Sequence, residues 1–167
     1  MRRILSAILA IPILLVICAS TALADGPIIT EDLFAPGAVP WGPTCNGEPL
    51  FVSFSVVRRT ETFVEGGAPV LIRRHVQGDG TVWLPSTGRS FPYTVDFTST
   101  MDPAAHTNTI TGQWAHVLIP GSGVIFRNSG RLVQDLSTRP PLVLDESSVH
   151  DYFDPGGVAT LCAALGA

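Results

Sequence analysis

The chain has 167 residues, of which 46% are hydrophobic and 14% charged, and its formal net charge is −4 with arginine as the sole strong base. An acidic chain without a basic patch fits poorly to nucleic acid, whose binding depends on neutralising phosphates, and to anionic lipid surfaces. The length suits one ordinary domain with a real core.

Arg2 and Arg3 precede an uncharged apolar run from Ile4 to Ile17, and Ala22-Leu23-Ala24 follows with small residues at the two positions a signal peptidase reads. This three-part pattern predicts a secretory signal peptide over residues 1–24, with the working protein starting at Asp25. A membrane anchor needs roughly 20 apolar residues. The stretch to Ala24 would just reach, but Pro12 interrupts it and the following flank is acidic. A twin-arginine signal is a weaker reading, because a bare arginine pair is common in such segments. Lipid attachment at Cys18 is opposed by the bulky Ile17 before it. The expectation is a secreted, extracellular protein with no stable membrane anchor. Its eight arginines then face 14 acidic residues, a net charge of −6.

Residues 25–48 are rich in proline and glycine and show no period. They read as an extended arm whose Leu33, Phe34 and Trp41 pack on the body. Residues 49–167 read as a single β-rich domain. Leu50, Val52, Phe54 and Val56 alternate with Ser53, Ser55 and Val57, the period of a strand with one buried face. Thr60–Val64 continues it past a bend at Arg58-Arg59, and Gly66-Gly67 breaks the chain. Val70–Val76 is the next strand. Gln77-Gly78-Asp79-Gly80 reads as a hairpin turn, since Asp-Gly is a strong turn signal, with Thr81–Leu84 returning. After Pro85–Gly88, the apolar set Phe91, Tyr93, Val95 and Phe97 marks a clear strand. Thr109–Ile119 is another, beyond a loop at Asp102–Asn108. Pro120–Gly123 turns, Val124–Arg127 and Arg131–Gln134 flank a break at Asn128–Gly130, and Leu142–Leu144 is a last short strand. Val158, Leu161, Cys162 and Leu165 recur at helical spacing after Asp154-Pro155, which predicts one short C-terminal helix. The fold class is therefore all-β. About eight strands with regular turns form an antiparallel barrel or sandwich. The barrel is preferred, because successive hairpins suit an up-and-down path and closure removes exposed edges.

Without Cys18, the mature chain keeps Cys45 and Cys162, which permits one internal disulfide joining the arm to the C-terminal segment. No CxxC is present, so a metal or redox pair is disfavoured. His75, His106, His116 and His150 make no HxH or HExxH pattern, and no metal or cofactor is expected. His116 and Trp114 are two apart in one strand and so share a face. With Tyr93 they are the candidate ligand-binding residues of a barrel interior. Arg58-Arg59 and Arg73-Arg74 form either an anion-binding patch, if their strands pair, or a cross-strand ladder with Glu61 and Glu65 on an exposed face. The ladder is preferred. Ser122, in Gly-Ser-Gly, lacks the spacing and context of a nucleophile elbow and reads as a hairpin loop. Asp145-Glu146 and Asp151 with Asp154 do not fit a calcium loop.

Thr87-Gly88-Arg89, Thr109–Gly112, Pro120–Phe126 with Gly130-Arg131, and Leu161–Leu165 together resemble small exported β-rich proteins of actinobacteria with no assigned activity. The resemblance covers most of the mature chain. Its motifs are turn and core residues, so it implies a shared fold and carries over no catalytic residue. A barrel also invites comparison with lipocalin-like and allene-oxide-cyclase-like shapes, an analogy of architecture alone. The expected function is to bind a small apolar ligand or to act as an extracellular interaction module with an unidentified protein partner. A cyclase or isomerase using the barrel interior is the alternative.

Overall fold

A computed structural model describes residues 26–167. The signal peptide and Cys18 lie outside them. Eight strands and one helix follow in order: β1 (Ile28–Phe34), β2 (Val39–Cys45), β3 (Glu48–Glu65), β4 (Ala68–Trp83), β5 (Ser90–Asp102), β6 (Thr107–Ile119), β7 (Gly123–Asp135), β8 (Leu142–His150) and α1 (Pro155–Leu165). All strand pairs are antiparallel. From β3 to β8 the sheet is a simple meander, while β1 and β2 share the other edge of β3, β1 beside its second half and β2 beside its first. The proline- and glycine-rich arm is thus strand, built into the sheet through β3 rather than through a period of its own.

Three expected breaks are absent. β3 continues without interruption through Arg58-Arg59, and β4 through Gln77–Gly80. Gly78 and Gly80 lie opposite Val56 and Phe54, where a Cβ would come within 2.1 Å of Ser55 O and 2.0 Å of Ser53 O. These glycines permit close backbone approach inside a strand instead of making a turn. Likewise β7 continues through Asn128–Gly130. Gly130 has a φ of +119°, and a Cβ there would lie 2.3 Å from Ser147 O.

The expected antiparallel fold with one C-terminal helix is what the structure has, but hydrogen bonding does not close the sheet, because β8 pairs with neither β1 nor β2. Side chains and the helix do the joining at one end. The Tyr152 hydroxyl donates to Trp41 O at 3.3 Å, and the Trp41 ring meets Phe126 of β7 at 5.1 Å and Tyr93 of β5 at 5.4 Å between centroids. α1 starts at the Asp154 cap, whose carboxylate accepts from Gly156 N at 3.0 Å, and ends at Gly166 in the left-handed region. Its Leu161 and Leu165 are fully buried among Leu50, Val52, Val82 and Val117. The Cys45–Cys162 disulfide pins the helix to β2. This end of the rolled sheet is a packed core.

Candidate functional site

Away from that core the concave face is not filled. Strand alternation decides what points there. On β3 it is Phe54, Val56 and Arg58; on β4 it is Arg74, Val76 and then two glycines; on β5 it is Tyr93, Val95, Phe97 and Ser99. Gly112 and Gly130, paired with each other across β6 and β7, likewise add no side chain. The result is a cavity of about 710 Å³ with side chains from β1 through β7 in its wall. That lies within the usual range of roughly 300–1,000 Å³ for small-molecule sites.

The cavity is graded in polarity. Its body is aromatic and aliphatic, with Trp41, Phe54, Tyr93, Phe97, Trp114 and Phe153 in the wall. Towards the ends of the strands away from the core lies a polar row: Arg74 of β4 faces Ser99 of β5, and Asn108 of β6 faces Gln134 of β7. Ser99 Oγ donates to Asn108 Oδ1 at 2.7 Å, linking the two halves. Arg58 holds Asp32 of β1 through Nε–Oδ1 at 3.1 Å and Nη2–Oδ2 at 2.7 Å. This forked contact lowers the Asp32 pKa, helped by the charges of Arg58 and Arg74. Among the described residues Arg74 has no carboxylate within ion-pair distance.

Alternation therefore divides each arginine pair. Arg59 and Arg73 turn outward and meet Glu61 at 3.2 and 3.7 Å, the expected ladder without Glu65. Arg58 and Arg74 turn inward. Pairing of β3 with β4 thus builds the ladder on the outer face and sets Arg58 and Arg74 on the inner one.

The candidate residues are divided too. Tyr93 and Trp114 line the cavity. A bulge between Gln113 and Ala115 shifts the register of β6 at Trp114. Beyond it Ala115 and Val117 point into the core, so His116 falls on the opposite face, between Thr94 and Arg127. The shared face expected for residues 114 and 116 is lost at this bulge. Burial lowers the His116 pKa, as does the charge of Arg127, and Asp151 opposes them. Tyr93 donates to Trp114 O at 3.2 Å, and burial pushes its phenol pKa up, with Tyr152 adding to the rise. Burial raises the Tyr152 phenol as well. Both phenols stay protonated, and both already donate to backbone.

Three further cavity residues are not singled out as such by the sequence, which predicts only that Trp41 packs on the body and that Arg74 is half of an arginine pair. Trp41 sits in an aperiodic arm, Arg74 looks identical to its outward neighbour, and Asn128 falls in an apparent turn. Asn128 is 1% exposed, and its Oδ1 accepts from Tyr152 N at 2.9 Å.

Among the described residues Trp114 Nε1, His116 Nε2, Asn128 Nδ2 and His150 Nδ1 are buried without a hydrogen-bond partner, while several other polar groups have structural ones. His75 faces Asp96 at 3.8 Å on the outer surface, and His150 bonds Ser147 O at 2.9 Å through Nε2. Asp145 pairs with Arg131, Asp151 accepts from Arg127 N, and Asp154 caps α1. Ser122 closes the β6–β7 turn. Among the described residues no group of three or more His, Cys, Asp or Glu is placed to hold a metal, and no helix is long and apolar enough to cross a membrane. Comparison with protein-family models, with curated proteins and with solved structures finds no match to this chain.

Proposed function

We propose that this chain is a secreted binding protein that holds a small apolar ligand in the concavity of its rolled sheet. The observation that carries the reading is the cavity itself: an aromatic-walled space of about 710 Å³ where the four inward glycines leave side chains out. A barrel of about eight strands is otherwise filled by its own side chains. Export is supported by the signal pattern at residues 1–24 and by the Cys45–Cys162 disulfide, a bond of oxidising compartments. The resemblance to small exported actinobacterial proteins belongs to the same proposal.

The lining supports binding over turnover. Its titratable groups are Arg58, Arg74, Tyr93 and Tyr152, and the two phenols are already engaged. A cyclase or isomerase would have to work by shape and by arginine charge. The interaction-module reading is favoured by a separate observation. The edge strands β1 and β8 are unpaired on their outer sides and expose Ile28, Leu33, Leu142 and Leu144 at 54–70%.

The test is titration with the neutral fluorophore N-phenyl-1-naphthylamine, in the intact protein and in Val76→Trp, which fills the cavity. Saturable enhancement at one site per chain, lost in Val76→Trp with the melting curve kept, is the expected result. Equal enhancement in both proteins places the probe elsewhere and overturns the reading.

A further inference from the structure

The cavity is not simply greasy. Its apolar body ends at one place, in a polar row that contains a cation without a partner. Position along the strands fixes this layering. On β4, Arg74 precedes Val76 by one inward step; on β5, Ser99 follows Phe97 by one; on β6, Asn108 precedes Ile110 by one. The change is staggered by one inward step: Arg74 and Ser99 stand level with Ile110 and Leu132, Asn108 and Gln134 stand one step further out, level with Ile72 and Met101, and the Ser99–Asn108 hydrogen bond joins the two steps.

Charge balance at this level is specific. Arg58 and Asp32 neutralise each other in the forked contact, with side chains 38% and 44% exposed. That leaves one net positive charge, on Arg74, in a domain that is otherwise acidic. Ser99 donates its hydroxyl to Asn108 Oδ1, so the Asn108 amide NH₂ remains a donor towards the row. A guanidinium beside amide donors is the donor set that holds a carboxylate in a planar, forked geometry.

We propose that the ligand is a single-chain amphiphile with an apolar tail and one anionic head, its tail among Phe54, Val76, Phe97 and Trp114 and its carboxylate on Arg74 beside Asn108. This rests on the binding reading above and names the ligand class for the same cavity. A monoanion is specified because Arg74 is the one cation at the row whose charge is not already balanced. A dianionic head would leave excess negative charge within reach of Asp32.

Calorimetric titration of the disulfide-bonded protein with dodecanoate, dodecanol and dodecyl phosphate tests it, alongside the naphthylamine probe. Dodecanoate is expected to bind about tenfold or more tightly than dodecanol, and more tightly than dodecyl phosphate measured at a pH where that head is dianionic. Added salt is expected to narrow the gap between dodecanoate and dodecanol. In Arg74→Gln, dodecanoate falls to the affinity of dodecanol while dodecanol and the probe bind as before. Equal binding of dodecanoate and dodecanol by the unaltered protein, or an unchanged preference in Arg74→Gln, overturns the head assignment and leaves the apolar cavity standing. Tighter binding of the phosphate overturns the monoanion. If the naphthylamine probe does not bind, the cavity reading fails first. The preference of the unaltered protein needs no variant, so misfolding of Arg74→Gln would not remove the test.

Discussion

Phe54 and Tyr93 lie on strands that are not neighbours, yet their rings come within 6.5 Å between centroids. Both flank Gly80, which is opposite Phe54 on one side and Tyr93 on the other. The missing side chain at position 80 lets the two aromatics meet and lets β3 and β4 coil closely. A Cβ at Gly78 or Gly80 would meet backbone, which cannot move aside as a side-chain tip can. Gly78→Ala and Gly80→Ala are each expected to cost about 1–3 kcal/mol in urea unfolding. Gly37→Ala, which meets nothing within 4 Å, is expected to be neutral. Equal tolerance at all three positions would count against close approach as the reason for these glycines.

The Cys45–Cys162 bond closes a loop with a sequence separation of 117 residues. Chain entropy for a loop of that length predicts a loss of about 4–5 kcal/mol on replacing both cysteines with alanine. Chemical denaturation of the oxidised protein and the double variant measures it. Because the bond holds α1 against β2, the variant is also expected to exchange the amide hydrogens of α1 far faster than those of β5. Unchanged protection in α1 would show that Leu161 and Leu165 hold the helix without the disulfide.

His116 and Asp32 give stability a dependence on pH in separate windows, and Asp135, lowered by its hydrogen bonds from Ser137, shares the acid window with Asp32. Burial lowers the folded pKa of His116 below its ordinary 6.5, so the neutral ring is favoured in the folded state. Its contribution is complete above pH 6.5 and is lost as pH falls through the lowered value. Asp32, held low by Arg58, contributes above its ordinary 3.8 and loses that contribution as pH falls through its own lowered value. Thermal melts from pH 7.5 to 3 are expected to flatten in the upper window in His116→Gln and in the lower window in Asp32→Asn. An NMR titration that places the His116 midpoint above 6.5 would contradict the first.

Asn128 ties the chain after β8 to the wall of the cavity by accepting from Tyr152 N, and Tyr152 in turn reaches Trp41. Asn128→Ala leaves a part-buried amide N–H without its acceptor. The expected cost is about 1–3 kcal/mol, with increased exposure of Trp41 read as a red shift of fluorescence. A full-stability variant with unchanged emission would remove Asn128 from this role.

The strands with one clean apolar face were legible, because alternation at Leu50–Val56 and Phe91–Phe97 reports burial directly. The helix was legible from Asp154-Pro155 and its apolar spacing. β1 and β2 were not, since they are strands by virtue of pairing with β3 and their own residues show no period. Gly78-Asp79-Gly80 misleads because glycine serves both turns and close approach, and only the partner strand shows which. The bulge at Trp114 is invisible for the same reason, and it alone moves His116 off the cavity. Arg74 was legible only as half of an arginine pair, and its register opposite Ser99 shows which of the two points inward.

The central claim is that the concavity, and not the exposed apolar edges, takes the ligand. Methyl-selective NMR during titration with N-phenyl-1-naphthylamine tests it most directly. The account predicts saturable shifts for Val56, Val76, Val95 and Ile110, which line the cavity or pack at its wall. Ile28, Ile29, Leu142 and Leu144 on the outer strands are predicted to stay in place. Shifts confined to those edge residues, with the inner methyls unmoved, would contradict the account and mark the sheet edges as the binding surface.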